Sequence, residues 1–323
     1  MTSRRQALTG LLVFAAGTSA IGKEGDWPTR PVRIVVPFTA GSPPDMIARV
    51  IAPKLGASLG QPIVVDNKPG ATTTIGTELV ARSSPDGYTL LLTATGAASV
   101  FPAIMKLRYD PIKDLTPVGM LAISQQIFFT SPLRKITTLK EYIAYARQNP
   151  DKANMGSIGI GTTNHLACEM LKKAGGIQAT YVPYQSSQAG LQAVINGDID
   201  LFCADIGVVL GLLGSDRITP LAVAGASRSE FLPGTPTLAE AGISGVLSAN
   251  RFALFAPSGL PRTVAQRLAQ VLPAAVNSEE AGNSFRKMGM TPSYTPADSV
   301  SEVIRSDADA MVPLARALNI RLD

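Results

Sequence analysis

The sequence is poor in the residues that most often carry catalysis and metal binding. Its 323 residues include one histidine and two cysteines, and only 6% are aromatic. His165 has only Cys168 and Glu169 nearby on the same predicted helix, which is too few ligands for a metal site. A G-x-S-x-G nucleophile elbow is also missing. We therefore expect a protein that is not an enzyme, with no catalytic residues, no metal and no cofactor, although a Ser-His-Asp triad of residues distant in the sequence stays open.

Clusters of positive charge are missing as well. The chain has 29 Lys and Arg against 24 Asp and Glu, but the basic residues are scattered and form no run of five or more. Proteins that bind nucleic acid display clustered basic residues, so we expect no nucleic-acid partner. With 46% hydrophobic and 16% charged residues, the chain is globular and long enough for two α/β domains.

The one marked apolar run near the N-terminus, residues 8–16, is too short to cross a bilayer. Arg4 and Arg5 precede it, and the small residues Thr18, Ser19 and Ala20 follow it. This order predicts a signal peptide over residues 1–20, cleaved near Ala20, and hence a periplasmic protein. The stretch SRRQAL also resembles a twin-arginine signal with Ala in place of Phe, so both export routes stay open.

The two cysteines, Cys168 and Cys203, lie in the apolar segments LACEML and DLFCAD. An exported protein could join them in a disulfide. Their setting favours two small buried hydrophobic side chains instead.

The rest of the chain alternates strand and helix patterns in two similar units. In the first unit, strands are predicted over 32–38, 62–66 and 88–94, with helices over 43–59 and 75–83 between them. The second unit has predicted helices over 139–148, 162–174 and 187–196, and strands over 153–157, 179–184 and 198–204. Such alternation is typical of parallel sheets covered by helices. Further helices are predicted over 261–277, 279–288 and 297–318.

Two long extended stretches, 116–132 and 246–261, flank the second unit. They predict a discontinuous first domain over 27–124 plus 247–323, and a second domain over 125–246. Two extended crossovers between such domains permit a hinge, and the ligand site would lie in the cleft.

Candidate ligand contacts lie in the turns that follow strands, where ligands bind in parallel sheets. In the turn PFTAGSPPD, Ser42 is expected to cap the next helix and Pro43 to start it. Gly159 and Gly161 would let the backbone approach a ligand, although their segment lacks the third glycine of a dinucleotide fingerprint. Asp205 is either a cleft carboxylate or a helix cap. The predicted ligand-binding residues are Phe38, Thr39, Ala40, Gly41, Ser42, Asp45, Thr95, Gly96, Gly159, Gly161, Thr162, Thr163, Tyr184, Gln185, Ser186 and Asp205.

Taken in order, seven stretches resemble the substrate-binding proteins of tripartite tricarboxylate transporters, also called the Bug receptor family. They are WPTRPVRIVVPFTAGSPPDMIAR, LGQPIVVDNKPGATTTIGTELVARSSPDGYTLL, YDPIKDLTPVGMLA, GTTNHLACEML, YVPYQSSQAGLQAVINGDIDLF, LPGTPTLAEAGISG and FALFAPSGLP. They span nearly the whole chain after the predicted signal peptide.

The resemblance implies a type II periplasmic binding protein, with two α/β domains that close on a small carboxylate. It also implies delivery to membrane transporter subunits, and we expect a monomer. The family commonly has glycine where Ser42 stands, and often has Tyr-Lys-Gly where this chain has 184–186. A dicarboxylate and a neutral or aromatic acid therefore both remain open as ligands. Two alternatives are a periplasmic hydrolase or transferase and a receptor for a membrane sensor.

Overall fold

The structure is a computed structural model that describes residues 27–322. The predicted signal peptide, residues 1–20, lies outside the described residues. Within the described part, no helix is long and apolar enough to cross a membrane.

The chain alternates strands and helices along its length, as the sequence predicts. The strands are β1 (Val32–Val36), β2 (Ile63–Asn67), β3 (Thr89–Ala94), β4 (Leu115–Thr130), β5 (Asn154–Ile158), β6 (Thr180–Tyr184), β7 (Leu201–Asp205), β8 (Thr219–Val223), β9 (Ala249–Pro257) and β10 (Thr291–Pro296). The helices are α1 (Pro43–Leu59), α2 (Thr74–Ala81), α3 (Gly96–Ser99), α4 (Phe101–Ile104), α5 (Leu139–Gln148), α6 (Thr163–Gly175), α7 (Ser187–Asn196), α8 (Ile206–Val209), α9 (Arg262–Val276), α10 (Glu279–Lys287) and α11 (Ala297–Ala317).

Each α/β unit contributes three parallel strands to the sheet. In the first unit β1 pairs with β2 and β3, and in the second β5 pairs with β6 and β7. Strand β1, between β2 and β3, reads VRIVV, and four of its five residues are buried, as expected for a strand covered on both faces. Helix α1 shows the matching helical pattern: Ile47, Ile51 and Leu55 recur every four residues and are fully buried.

Strands β4 and β9 join the two units into one sheet, in the order β2-β1-β3-β9-β4-β7-β5-β6. They pair antiparallel from Leu115 with Pro257 to Gln125 with Ala249. The last residues of β4 then pair with β7 and β8 of the second unit. The two predicted crossovers are thus hydrogen-bonded to each other and to both units, where the sequence suggested two separate sheets. The two domain boundaries themselves stay predictions.

The structure adds elements that the sequence analysis left unassigned. Strand β10 contains Pro292 and Pro296, and it pairs antiparallel with β4 across an irregular register. Proline cannot donate to a ladder, but an edge strand tolerates it. Strand β8 and the short helices α3 and α4 also had no predicted counterpart.

Cys168 and Cys203 are free thiols in the core of the second unit, and both are fully buried. This placement agrees with their interpretation as small hydrophobic side chains.

Candidate ligand-binding site

A cavity of about 320 Å³ opens where turns from both α/β units meet. Its lining comes from the ends of strands and the turns and helix starts that follow β1, β2, β3, β5 and β7, with two residues of β9 between the units. This is where ligands bind in such sheets. The lining residues are Phe38, Pro43, Pro44, Thr72, Thr73, Thr93, Ala94, Gly96, Ala97, Val100, Phe101, Ile158, Gly161, Thr162, Thr163, Asn164, Asp205, Asn250 and Phe252.

The turn after β1 is held in shape by Asp45. This carboxylate is almost fully buried and accepts hydrogen bonds from the Gly41 N–H at 2.8 Å and from the Asn67 side chain at 3.0 Å. Arg49 also pairs with it at 3.0 Å. Burial alone would raise the pKa of Asp45, but these hydrogen bonds hold it below its usual range. The Gly41 N–H is therefore occupied inside the turn instead of facing a ligand.

Ser42 occupies the N-cap position of α1, as predicted, with an extended backbone. Its side chain makes no capping hydrogen bond, however, and its hydroxyl is buried without a partner among the described residues. Pro43 and Pro44 follow at the start of α1 and line the cavity. Because proline has no N–H to donate, the two residues contribute an apolar surface to the cavity wall and restrict the backbone of the turn.

His165 supports the turn before α6. Its Nδ1 accepts a hydrogen bond from the Gly161 N–H at 3.1 Å, and its ring lies against Tyr181 with centroids 4.1 Å apart. Burial lowers the pKa of His165 to about 4, and the charge of Lys172 acts in the same direction. The ring is neutral at neutral pH, so its 3.8 Å contact with Glu169 is not an ion pair. Neither ring nitrogen bonds to a hydroxyl or thiol within residues 27–322.

A chain of side-chain hydrogen bonds crosses the base of the cavity. Gln126 donates to the Thr163 hydroxyl at 3.0 Å, and Thr163 donates to the Oδ1 of Asn250 at 2.5 Å. The Asn250 Nδ2 donates to both oxygens of Asp205, at 2.7 and 2.9 Å. Asn164 donates to the same carboxylate at 3.4 Å. The network thus fixes the orientation of the Asn250 amide and directs its donors at Asp205.

Asp205 faces the cavity. It occupies the N-cap position of α8, but its side chain makes no capping hydrogen bond. Burial raises the pKa of Asp205 to about 6, against the opposing effect of the hydrogen bonds from Asn250 and Asn164. The structure thus places Asp205 in the cavity wall and shows no capping bond from its side chain, and its contact with a ligand stays a prediction.

Two further hydroxyls in the cavity wall have no partner. Thr73 and Thr93 are each more than nine-tenths buried, and neither hydroxyl makes a hydrogen bond within the described chain. Thr73 also ends a run of three non-glycine residues, 71–73, with positive φ angles of 44°, 49° and 73°. Such strained backbone is concentrated at functional sites. Both residues belong to the cavity lining, although their hydroxyl oxygens have almost no accessible surface.

Six of the sixteen predicted site residues line the cavity: Phe38, Gly96, Gly161, Thr162, Thr163 and Asp205. The others support the turns around it or lie farther away. Tyr184 packs its ring edge-on against Phe202, 5.6 Å between centroids. Ser186 caps α7 by accepting from the Ala189 N–H, and Gln185 is exposed. The predicted residues outside the lining are Thr39, Ala40, Gly41, Ser42, Asp45, Thr95, Gly159, Tyr184, Gln185 and Ser186.

Sequence reasoning missed the contributions of β9 and of the short helices. Asn250 and Phe252 come from a stretch read only as a crossover, and Phe101 from a segment with no assigned element. The only signal at Asn250 was a polar residue at the start of an apolar run. Thr73 and Thr93 gave none, because their missing hydrogen bonds depend on distant packing.

Comparison with known proteins points to a single family, in both a family model and a similar protein. The family model described as "Tripartite tricarboxylate transporter family receptor" matches residues 47–320. Protein BugT of Bordetella pertussis is 30% identical over 325 residues, which cover 99% of each chain.

Solved structures of similar proteins agree with this family match. The R. palustris protein Rpa4515, solved with adipate, has a TM-score of 0.78 and 32% identity, and the match covers 90% of this chain and 98% of its own. The periplasmic binding protein BugD has a TM-score of 0.75 and 28% identity, covering 91% of this chain and 99% of its own. The predicted fold, an α/β binding protein of the two-domain periplasmic type, is confirmed by these likenesses.

Proposed function

The chain belongs to the family of tripartite tricarboxylate transporter receptors, the Bug receptors, and on that premise we propose that it binds one small carboxylate in the cavity described above. The mature protein would be a periplasmic receptor that delivers this ligand to membrane transporter subunits. It would act as a monomer and without catalysing a reaction.

The observation that carries the proposal is the mostly apolar cavity between the two units, whose lining includes Thr73 and Thr93, two residues with hydroxyls that have no partner in the described chain. A buried polar group without a partner is costly, so a rotation about χ1 that turns either hydroxyl toward a ligand oxygen would be favourable. A relative of the same fold, Rpa4515, was solved with a carboxylate, adipate. The cavity lies near the lower end of the roughly 300–1,000 Å³ range of small-molecule sites, which suits a short metabolite.

The environment of His165 supports a role without catalysis. It is the only histidine, it is neutral, and its Nδ1 is occupied by the Gly161 N–H. A hydrolase would need a base within hydrogen-bond reach of a nucleophile. The hydrolase or transferase alternative therefore loses its candidate base.

Thermal unfolding with a panel of carboxylates, amino acids and neutral metabolites tests the binding proposal. A ligand present at about 100 times its Kd should stabilise the native protein by about 2.7 kcal/mol. Thr93→Val should weaken the carboxylate about tenfold, because a hydrogen bond to a charged group is lost. Ser99→Ala removes another buried, unpartnered hydroxyl that lies outside the cavity, and it should leave binding unchanged. Absence of stabilisation by every carboxylate would refute the proposal.

The location and assembly need separate measurements. The mass of protein secreted to the periplasm should show removal of residues 1–20, and light scattering should give the mass of one chain. Retention of the full N-terminus in the periplasmic fraction, or a dimer mass, would contradict these parts of the proposal without affecting the binding site.

A further inference from the structure

The cavity contains one ionisable side chain, and that side chain is acidic. Of the nineteen residues in its lining, only Asp205 can carry a charge. The remainder are apolar residues, glycines, threonines and two asparagines. An anion in this cavity therefore meets hydroxyl and amide groups, but no lysine or arginine.

Nearby basic residues are engaged elsewhere. Arg251 follows Asn250 in β9, but it pairs with Asp307 on α11 at 3.1 Å. Arg49 pairs with Asp45 behind the first turn. Neither belongs to the cavity lining, so neither can offset a second negative charge beside Asp205.

Asp205 has acceptor capacity left for a ligand. A carboxylate can accept about four hydrogen bonds. The Asp205 carboxylate accepts from the Asn250 Nδ2 at both of its oxygens and from the Asn164 Nδ2 at 3.4 Å. The amide of Asn250 cannot turn its oxygen toward the carboxylate, because Thr163 donates to that oxygen. A ligand atom that meets Asp205 must therefore be a hydrogen-bond donor.

The two polar ends of the cavity belong to different halves of the fold. Thr73 and Thr93 stand in the first unit, at α2 and β3, whereas Asp205 ends β7 in the second. Apolar side chains, among them Phe38, Phe101 and Phe252, supply much of the remaining wall. A ligand that bridges the halves would have a polar group at each end and an apolar body.

We propose that the preferred ligand carries a single carboxylate at one end, bound at the Thr73 and Thr93 hydroxyls, and a hydroxyl or ammonium group at the other end, bound at Asp205. This inference rests on the proposed carboxylate receptor and narrows its ligand class. A dicarboxylate of the same length is disfavoured, because its second anion would face Asp205 without a cation between them.

Sets of linear acids matched in length test this preference. Each set, of roughly four to eight carbons to suit the cavity, contains an alkanoate, its ω-hydroxy and ω-amino derivatives, and the dicarboxylate. Titration calorimetry on the full mature protein near neutral pH should show an ω-hydroxy or ω-amino acid binding at least about tenfold tighter than the dicarboxylate of equal length. A dicarboxylate that binds as tightly as its donor-bearing partner, or more tightly, would overturn the inference.

Asp205→Asn supplies an independent readout with a defined direction. The asparagine amide should reduce the affinity for the ω-amino acid about tenfold and increase the affinity for the dicarboxylate. The difference in affinity between the two ligands should therefore shrink. Asp86→Asn changes an exposed carboxylate far from the cavity and should leave the ranking intact. The wild-type ranking stands on its own if Asp205→Asn proves unstable.

Failure of the receptor proposal and failure of the Asp205 assignment give different results. If no acid in any set binds, and the wider carboxylate panel is also negative, the receptor proposal itself falls. If carboxylates bind but the dicarboxylates are preferred, the receptor proposal stands and only the assignment of Asp205 falls.

Discussion

Asn250, at the start of β9, donates one amide group to both oxygens of Asp205, at the end of β7, 2.7 and 2.9 Å away. Their strands flank β4 in the sheet order. The bond thus ties the start of β9 to the end of β7 in the second unit, at the base of the cavity. The bond holds the Asp205 carboxyl group where burial opposes its ionisation.

Asp205→Asn should change how stability depends on pH. The folded pKa of Asp205, about 6, lies above its ordinary value of 3.8. The native state therefore holds this proton more tightly, and the resulting stabilisation is lost as pH rises through 6. The variant does not titrate, so its unfolding free energy relative to wild type should rise by about 3 kcal/mol between about pH 4 and pH 7. Urea titrations across this range measure the difference, and a flat difference would contradict the assignment.

His165→Asn should give the opposite slope. The folded pKa of His165, about 4, lies below its ordinary value of 6.5. The unfolded chain therefore binds the proton more readily, and wild type loses stability as pH falls from 6.5 toward 4. Relative to wild type, the variant should gain about 3 kcal/mol over that range. The same urea series checks this, and a variant whose disadvantage grows in acid would show that His165 is not buried as a neutral ring.

Removal of Asp45 should loosen the first turn. Asp45→Ala leaves the Gly41 N–H and the Asn67 amide without their acceptor. We expect a loss of about 2–3 kcal/mol in unfolding free energy, since hydrogen bonds to a buried charged group are lost together. Glu78→Ala removes an exposed i,i+4 pair with Arg82 and should cost only about 0.3–0.5 kcal/mol. Equal losses for the two variants would mean that Asp45 does not organise the turn.

Gly161→Ala should destabilise the wall of the cavity. The residue has a φ of +80°, and an added Cβ would lie 2.7 Å from the Ile104 Cδ1. The expected cost is about 1–3 kcal/mol, and Ile104→Val, which lacks that Cδ1, should restore part of it in the double variant. Gly214→Ala, with a φ of +79° and nothing within 4 Å of the added Cβ, is the matched control. Thermal unfolding compares wild type with Gly161→Ala, Ile104→Val, the double variant and the control, and additive losses would exclude the Ile104 contact as a cause.

The thiols of Cys168 and Cys203 should resist modification. Burial holds the pKa of Cys203 well above its ordinary value, and thiolates are the reactive form. Protein purified without reductant should react with a thiol reagent only after denaturation, at two thiols per chain. No reaction after denaturation would indicate a disulfide, and fast reaction of the native protein would contradict the burial.

The sequence predicted the fold better than the site, and particular residues show why. The strand VRIVV and the helix with Ile47, Ile51 and Leu55 carry their periodicity in neighbouring residues. Asn250 meets Asp205 only because β9 enters the sheet beside β4, which no local pattern records. The turn PFTAGSPPD contributes to the cavity lining, but the acceptor of its Gly41 N–H, the Asp45 carboxylate, appears only in three dimensions.

The position of β9 also constrains the order in which the protein can fold. In the first half of the sheet β3 and β4 do not pair with each other, because β9 lies between them. A chain that emerges N-terminus first must therefore keep both strand edges open until most of its length is available. Unpaired edges are sites of aggregation, so the first half depends on the late arrival of β9 and would not be a stable fragment when cut before it.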